Sequence, residues 1–155
     1  MSSENSFTIQ FKIMKKVILL LAIACLFTQA QAQKVMAKDV PVAVTEAFNK
    51  AYPSLKDVDW SKDGNNYEAE YDVHKADVSV TYDASGKLLE NEVEITVAAF
   101  PAPVMVYVNK NYKGNKVKEA SKITDANGTV TYEAEVKGMD LIFDSNGKFL
   151  RAVKA

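Results

Sequence analysis

Acidic residues that alternate with apolar ones are the first feature of this chain that could do chemistry. The motif Tyr-Glu-Ala-Glu occurs twice and places Glu68, Glu70, Glu133 and Glu135 at alternate positions. Paired carboxylates are the catalytic groups of many glycoside hydrolases, in which a desolvating pocket raises the pKa of one acid. Alternating acids on a wet sheet face usually serve solubility instead. The motif therefore favours a protein without catalytic activity, with a carboxylate-based hydrolase as the weaker alternative.

Nucleophilic catalysis has few candidate residues in this sequence. A catalytic triad needs a nucleophile, a base and an orienting group. The chain has one histidine, His74, and one cysteine, Cys25, which lies in a predicted signal sequence. His74 and Lys75 lie in the stretch from Asp72 to Asp77, which we interpret as a hairpin tip. We therefore predict a solvent-exposed loop histidine, no enzymatic activity and no cofactor.

Two short acidic loops resemble part of a calcium-binding loop. They are Asp83-Ala84-Ser85-Gly86 and Asp144-Ser145-Asn146-Gly147. A calcium loop needs further oxygen ligands at fixed spacing and a bidentate glutamate at the twelfth position. Glu94 is twelfth from Asp83, but Gly86 is fourth rather than sixth, and Lys87 takes a ligand position. Both stretches therefore predict hairpin turns and no metal site.

Binding to a partner is the function that the pattern favours. The candidate residues share the polar face of the predicted sheet or the hairpin beside it, and they are Glu68, Glu70, Asp72, His74, Lys75, Thr131, Glu133 and Glu135. Trp60 lies on the same face of its predicted strand as Val58, which predicts that it packs under a helix. An exposed Trp60 would instead be a strong anchor for a partner. A third alternative is a carrier of a small ligand or peptide in a pocket between sheet and helices.

Period-two patterns predict the strands that position these residues. Tyr67, Ala69, Tyr71 and Val73 alternate with acids, which indicates one dry and one wet face, as in antiparallel sheets. Turn motifs containing Gly or Asn separate the strands. The predicted strands are 56–62, 66–73, 77–83, 87–95, 116–124, 129–136, 138–144 and 148–154.

A helix is predicted before each group of four strands. Asp39 is a candidate N-cap and Pro41 stands near the first helical position. Val40, Val44, Ala47, Phe48 and Ala51 fall on one face at spacings of three and four, and Pro53 ends the helix. The second helix contains Val104, Tyr107 and Val108 and ends before Gly114. Both helices should cover the apolar sheet face and leave the glutamate-rich face open.

The two halves match each other in order along the chain. Asn49-Lys50 matches Asn109-Lys110 at an offset of 60, the Tyr-Glu-Ala-Glu motif repeats at 65, and the turn at 83–87 repeats at 61. This predicts an α+β fold built by tandem duplication of one helix and a four-stranded meander. We assign repeat 1 to 40–95, repeat 2 to 96–155 and a linker to 33–39.

The helix opening VPVAVTEAFNKAYPSLKDVDW, the strands YEAEYDV and YEAEVKGMDLIF, and the turns DASGK and DSNGK carry a resemblance. In that order they resemble the PepSY-like, β-lactamase-inhibitor-protein-like family of secreted Bacteroidetes proteins, over residues 38–155. The resemblance implies a helix plus four-strand unit in tandem, an exported location and no known enzymatic activity. It implies no particular target, because a fold does not fix a function.

The start of the chain predicts export. Lys15 and Lys16, an apolar run from Val17 to Phe27 and the small residues Ala30 and Ala32 form a secretory signal at 14–32, and the run is shorter than the about 20 residues of a membrane span. The leader at 1–13 is interpreted as a mis-assigned start. Cys25 could alternatively carry a lipid anchor. We expect a periplasmic or secreted protein without a membrane span in the mature chain.

Charge differs between the two halves. Residues 33–95 carry 7 basic and 13 acidic side chains, whereas residues 96–155 carry 9 and 6. The halves could attract each other, or another copy of the protein. Because basic residues form no stripe with interleaved aromatic residues, nucleic acid is excluded as a partner. The expected partner is a cell-envelope or secreted protein, with hydrolases as one candidate class.

Overall fold

Residues that alternate between apolar and polar produce one continuous antiparallel sheet. The computed structural model describes residues 33–155, so the predicted leader at 1–13 and the signal at 14–32 lie outside the described residues. Within that range the chain forms nine strands, and each strand pairs with the one before it and the one after it. The strands are β1 (Gln33–Val35), β2 (Asp59–Asp63), β3 (Asn66–Val73), β4 (Ala76–Asp83), β5 (Leu88–Glu94), β6 (Glu119–Asp125), β7 (Val130–Val136), β8 (Met139–Asp144) and β9 (Phe149–Lys154).

Two helices of ten residues cover one face of this sheet. They are α1 (Val42–Ala51) and α2 (Ala102–Asn111), and each follows a 3-10 turn, at Ala37–Asp39 and at Val97–Ala99. Among the described residues, no helix is long and apolar enough to cross a membrane. The predicted α+β fold, with a helix before each group of four strands, is confirmed.

The start of α1 differs from the prediction in detail. The N-cap of α1 is Pro41 rather than Asp39, and Pro101 is the N-cap of α2. Asp39 ends a 3-10 turn, in which its backbone N–H donates to the carbonyl of Met36 over 2.8 Å. The Pro41 carbonyl then accepts from the N–H groups of Val44 and Thr45. The helix therefore begins two residues later than an Asp39 cap would allow.

The segment predicted as a linker at 33–39 is folded. Its strand β1 pairs with β2, with Val35 opposite Trp60 and Gln33 opposite Lys62. The end of β5 runs beside β6 in the same way, because the N–H of Ile95 donates to the carbonyl of Ala120 over 2.8 Å. Strand β1 and its 3-10 turn thus repeat the end of β5 and the turn that follows it. Three residues are too few for a period-two pattern to reveal.

Two apolar clusters, one for each repeat, lie between the helices and the sheet. The first packs Val44 and Phe48 of α1 against the inward residues of β2 to β4, including Trp60, which is 6% exposed. The indole ring of Trp60 contacts the Phe48 ring edge-on, with ring centroids 5.4 Å apart. The second cluster packs Val104 and Val108 of α2 against β6 to β8. The prediction that Trp60 lies under the first helix is confirmed.

The same irregularity occurs once in each repeat. The pairing of β4 with β5 shifts between Thr81 and Tyr82, and the pairing of β8 with β9 shifts between Ile142 and Phe143. Each shift inserts an extra residue, a β-bulge, opposite the shifted pair. The two bulges lie 61 positions apart, which is also the offset between the turns at 83–87 and 144–148. This shared irregularity agrees with the duplication.

Candidate functional site

The sheet face opposite the helices carries most of the acidic residues of the described chain. Strict pleating places Ala69 and Tyr71 in the core while their neighbours Glu68 and Glu70 point the other way. We call this surface the acidic face. By strand register it contains Asp59, Glu68, Glu70, Asp72, Asp77, Glu90, Glu92, Glu94, Glu119, Glu133, Glu135 and Asp140.

A groove of about 560 Å³ runs along the acidic face from repeat 1 into the first strand of repeat 2. We call it the acidic groove. Its lining combines hydroxyl groups, such as those of Ser79 and Ser121, with carboxylates from β2 to β6. Those carboxylates are Asp59, Glu68, Glu70, Asp72, Asp77, Glu92, Glu94 and Glu119.

The middle of the acidic face is sheltered from solvent. Ile142 and Ser121 lie on this face, yet they are only 5% and 9% exposed. Glu133 stands between them in the strand register, with Ser121 on one side and Ile142 on the other. The acidic face is therefore exposed to solvent at its margins and partly buried near Glu133.

Shelter changes the acidity of the central carboxyls. Burial, and then the negative charge of Glu92, raises the pKa of Glu133 to about 7. Burial also raises the pKa of Glu92, although a hydrogen bond from Ser121 opposes the change. The pKa values of Glu70 and Asp140 are raised as well, in both cases mainly by burial. The face thus holds carboxyls whose ionised form is disfavoured.

The predicted hairpin forms one wall of the acidic groove. Asp72 and Asp77 face each other across β3 and β4, and a hydrogen bond between their side chains raises the pKa of Asp77. His74 and Lys75 form the two-residue turn at the tip, with φ angles of 53° and 71°. Such a turn of the I′ type usually holds Asn or Gly at these positions.

The hairpin of repeat 1 is longer than its counterpart in repeat 2. In repeat 1 the paired residues Tyr67 and Tyr82 lie far from the tip, and eight residue pairs join β3 to β4. In repeat 2 the equivalent pair is Tyr132 with Phe143, and six residue pairs join β7 to β8. The first hairpin therefore extends two pairs further, and these pairs include Asp72 and Asp77.

Two lysines of the chain bind carboxylates of the acidic face. Lys118 Nζ lies 2.9 Å from Glu135 Oε2 and 3.2 Å from Glu119 Oε1, and these contacts raise the pKa of Lys118. Lys34 Nζ lies 2.9 Å from Asp59 Oδ1. Within residues 33–155 no further ion pair reaches this face. Most of its carboxylates therefore lack a cationic partner in the described chain.

The structure brings most of the predicted site residues together. Six of them share the acidic face, and His74 and Lys75 lie at the hairpin tip; the six are Glu68, Glu70, Asp72, Thr131, Glu133 and Glu135. Trp60 is the exception, because its buried indole lies on the opposite, helix-covered side of the sheet. The alternative that made Trp60 an exposed anchor is wrong. Whether the other residues bind a partner stays a prediction.

Sequence reasoning missed several residues of the acidic groove. Glu92, Glu94, Glu119 and Ser121 line it, but they were not among the candidates. The alternation of Glu90, Glu92 and Glu94 carried the same signal as the Tyr-Glu-Ala-Glu motif. Ser121 gave no comparable signal, because its burial depends on the shape of the sheet.

The two acidic loops are hairpin turns. Oδ1 of Asp83 accepts hydrogen bonds from the Ser85 hydroxyl and from the backbone N–H groups of Lys87 and Ser85, and these bonds lower the pKa of Asp83. Oδ1 of Asp144 accepts the N–H groups of Asn146 and Lys148 in the same way. Among the described residues, no group of His, Cys, Asp and Glu could hold a metal ion.

Solved structures with the same arrangement of helices and strands are known. A protein of Bacteroides eggerthii, described among "putative periplasmic proteins", matches with a TM-score of 0.67 and 20% identity, over 74% of this chain and 88% of that chain. A BLIP-like protein of Bacteroides fragilis matches with a TM-score of 0.61 and 22% identity, over 74% and 86% of the two chains. At these identities the likeness shows the fold alone.

Sequence comparison identifies the family. No curated protein matches this chain. A family model described as "Putative beta-lactamase-inhibitor-like, PepSY-like" matches it twice, over residues 26–90 and over residues 89–151. The two matches correspond to the two repeats and together span most of the sequence. The chain belongs to the PepSY-like family.

Proposed function

We propose that this chain is an exported, non-catalytic module that binds another cell-envelope or secreted protein, in the manner of an inhibitor. The binding surface is the acidic groove together with the hairpin tip at His74 and Lys75. A hydrolase is one candidate class of partner. Export is supported by the predicted signal at 14–32 and by the description of the Bacteroides eggerthii relative.

The observation that carries this proposal is the sheltered acidic face. Partly buried carboxylates without cationic partners cost folding free energy, because burial penalises their ionised form. Groups held in such an unfavourable state are concentrated at functional sites. A partner with a cationic surface would supply the missing charges and cover Ile142. The long hairpin gives this partner a projecting edge to contact.

A pocket between the sheet and the helices would have favoured a carrier. That region is filled by the two apolar clusters, and Val44, Val104, Leu141 and Phe143 within them are fully buried. Both grooves that we describe lie on the open face, the second a smaller one of about 180 Å³ beside Asn66 and Thr81. The carrier is therefore the weaker interpretation.

A carboxylate-based hydrolase is the second candidate, and one observation favours it. Glu133 has a pKa of about 7, which suits a general acid near neutral pH, and Glu92 lies close enough to contribute to that value. However, the groove is open to solvent, and charge repulsion among carboxyls accounts for part of the raised pKa. Turnover of glycoside or peptide substrates that Glu133→Gln abolishes would establish this alternative over the binding module.

The binding proposal is tested by capture from an envelope extract, followed by direct binding of the purified captured protein. The informative variant replaces Asp72–Asp77 with Lys-Gly, which gives repeat 1 the hairpin length of repeat 2. Tyr71 and Val78 then flank the turn, as Val136 and Met139 do in repeat 2. We expect this variant to lose at least about tenfold in affinity for the captured protein.

A matched control separates hairpin length from folding. Replacing Lys137-Gly138 with the six residues of Asp72–Asp77 lengthens the second hairpin and leaves the first intact. This variant should bind as the wild type does. Equal affinity of the shortened and wild-type proteins would contradict a role for the hairpin.

A further inference from the structure

The chain contains a cationic segment that complements its own acidic groove. Lys110, Lys113, Lys116 and Lys118 occur within nine residues that contain no acid, between the last turn of α2 and the start of β6. All four side chains are exposed. In the described part of the chain, only Lys118 among them forms an ion pair. We call residues 110–118 the lysine segment.

We propose that the acidic groove of one copy binds the lysine segment of a second copy of this chain. The inference goes beyond the proposed function, because it requires no protein other than this one. Opposite charges on two named surfaces of the same chain carry it. A divalent cation bridging two grooves is the main competing occupant, and the experiment below separates the two.

Lys118 shows how the acidic face binds an ammonium group. Its Nζ contacts both Glu119 and Glu135, which face each other on neighbouring strands. Asp72 and Asp77 form the same kind of cross-strand pair at the other side of the groove. Within residues 33–155 no lysine or arginine contacts that pair. A lysine from a second copy could contact Asp72 and Asp77 in the way that Lys118 contacts Glu119 and Glu135.

The positions of the two surfaces suit a symmetric pair. Lys118, the last residue of the lysine segment, directly precedes Glu119, which lines the acidic groove, so the segment ends at the edge of the groove. A two-fold interface brings the same surface of both copies together and must be self-complementary. Adjacent acidic and basic surfaces satisfy that requirement. A two-fold rotation brings the acidic groove of each copy against the lysine segment of the other. The expected assembly is a closed dimer with two equivalent contacts.

Salt should control this association. Exposed ion pairs contribute little each, and the Debye length falls from about 10 Å at 0.1 M salt to about 3 Å at 1 M. The partly sheltered carboxyls of the groove are screened less than exposed ones. We therefore expect a weak dimer at low salt and a monomer at high salt.

Sedimentation equilibrium of the intact protein, at about 0.1 M and about 1 M salt, tests the proposal. One variant reverses the segment, Lys113→Glu with Lys116→Glu. A second reverses the groove, Asp72→Lys with Asp77→Lys. Each alone should weaken dimerisation at least about tenfold, because like charges then meet. Mixed together, the two variants should form a heterodimer, since both contacts then join opposite charges.

Restoration of the dimer by mixing cannot result from misfolding of either variant. Lys50→Glu, at the position in α1 that corresponds to Lys110, is the matched control and should dimerise as the wild type does. A wild-type protein that stays monomeric at low salt overturns the proposal. So does a mixture of the reversed variants that stays monomeric, or a dimer that EDTA dissociates, which would indicate a bridging metal ion.

Discussion

The two repeats share a frame but fill it with different side chains. Repeat 1 concentrates aromatic rings near the end of its helix, where Phe48 contacts Tyr52, Trp60 and Tyr71. Repeat 2 has Val108, Ala120 and Val136 at the positions of Phe48, Trp60 and Tyr71, and it places rings at two other positions, Tyr107 and Phe149, which stack on each other and contact Phe143. Side-chain volume that repeat 2 lacks at these three positions is supplied by larger side chains at other positions of its core. A helix on a sheet thus tolerates very different cores if the total volume is kept.

The repeats also differ on the open face. Repeat 1 supplies the long hairpin and most of the groove, whereas repeat 2 supplies Ile142 and Glu133, the carboxyl whose pKa is raised to about 7. The helix-covered face therefore varies in packing while its role is the same in both copies. The acidic face varies in shape and charge, which agrees with our proposal that the binding surface belongs mainly to one copy.

The largest effect should come from truncating the main core ring of each repeat. Trp60→Ala should lower the free energy of unfolding by about 3 to 5 kcal/mol, because it leaves a cavity beside Phe48. Phe143→Ala, in the other cluster, should cost a similar amount. Chemical denaturation with far-UV circular dichroism measures both. A Trp60→Ala loss below about 1 kcal/mol would contradict the assigned burial.

The turn glycines under the two helices should differ in their tolerance of a side chain. Gly86 and Gly147 both have φ near 80°, which disfavours any other residue. A Cβ at Gly86 would clash with the carbonyl of Ala43, whereas at Gly147 it would meet side-chain atoms of Pro101 and Val104 at 3.0 and 3.2 Å.

Backbone cannot move aside as side chains can, so Gly86→Ala should cost about 3 kcal/mol and Gly147→Ala about 1.5 kcal/mol. Thermal unfolding of the two variants measures the difference. Equal losses would mean that α1 and α2 lie equally far from their turns.

Glu133 should make stability depend on pH. Its folded pKa of about 7 exceeds the ordinary 4.5, so the penalty for its charge is absent at low pH and develops as pH rises through about 7. Glu133→Gln should therefore raise the free energy of unfolding by about 1 kcal/mol at about pH 8, after allowance for solvent screening, and change it little at about pH 4. Urea denaturation at both pH values tests this.

Glu68 is the matched control for Glu133, because it holds the same place in the repeated motif and accepts a hydrogen bond from Ser61. Glu68→Gln should give no gain at either pH. A gain as large as that of Glu133→Gln would show that general acidity of the face, rather than shelter in repeat 2, causes the effect.

The smallest effect concerns the hairpin tips. Lys75 has a positive φ of 71° in repeat 1, and Gly138 takes the equivalent position in repeat 2 with a φ of 70°. Lys75→Gly should stabilise the protein by about 0.5 to 1 kcal/mol, and Gly138→Lys should destabilise it by a similar amount. Thermal unfolding measures both. Changes of the same sign would contradict a shared turn geometry.

Much of this architecture could be predicted because its signals are local. Alternation along β3 and β7 identified the strands and the orientation of Glu68 and Glu133, and turn glycines separated the strands. The raised pKa of Glu133 could not be predicted, because the burial of this carboxyl depends on neighbours on other strands. Ile142, for example, lies nine positions away in the sequence but directly opposite Glu133 on β8. The N-cap of α1 was misplaced because the 3-10 turn before it has no sequence signal of its own.

Strand β1 has a consequence for how this chain could have grown. Strand β1 is the counterpart in repeat 1 of the end of β5. Strand β5 belongs to both repeats, because it pairs with β4 of repeat 1 and with β6 of repeat 2. A cut after residue 95 would leave the edge of β6 bare, whereas a fragment that starts near residue 89 keeps its own neighbour. Growth by whole units is therefore built into the fold, because a further copy would join the sheet through the same kind of junction.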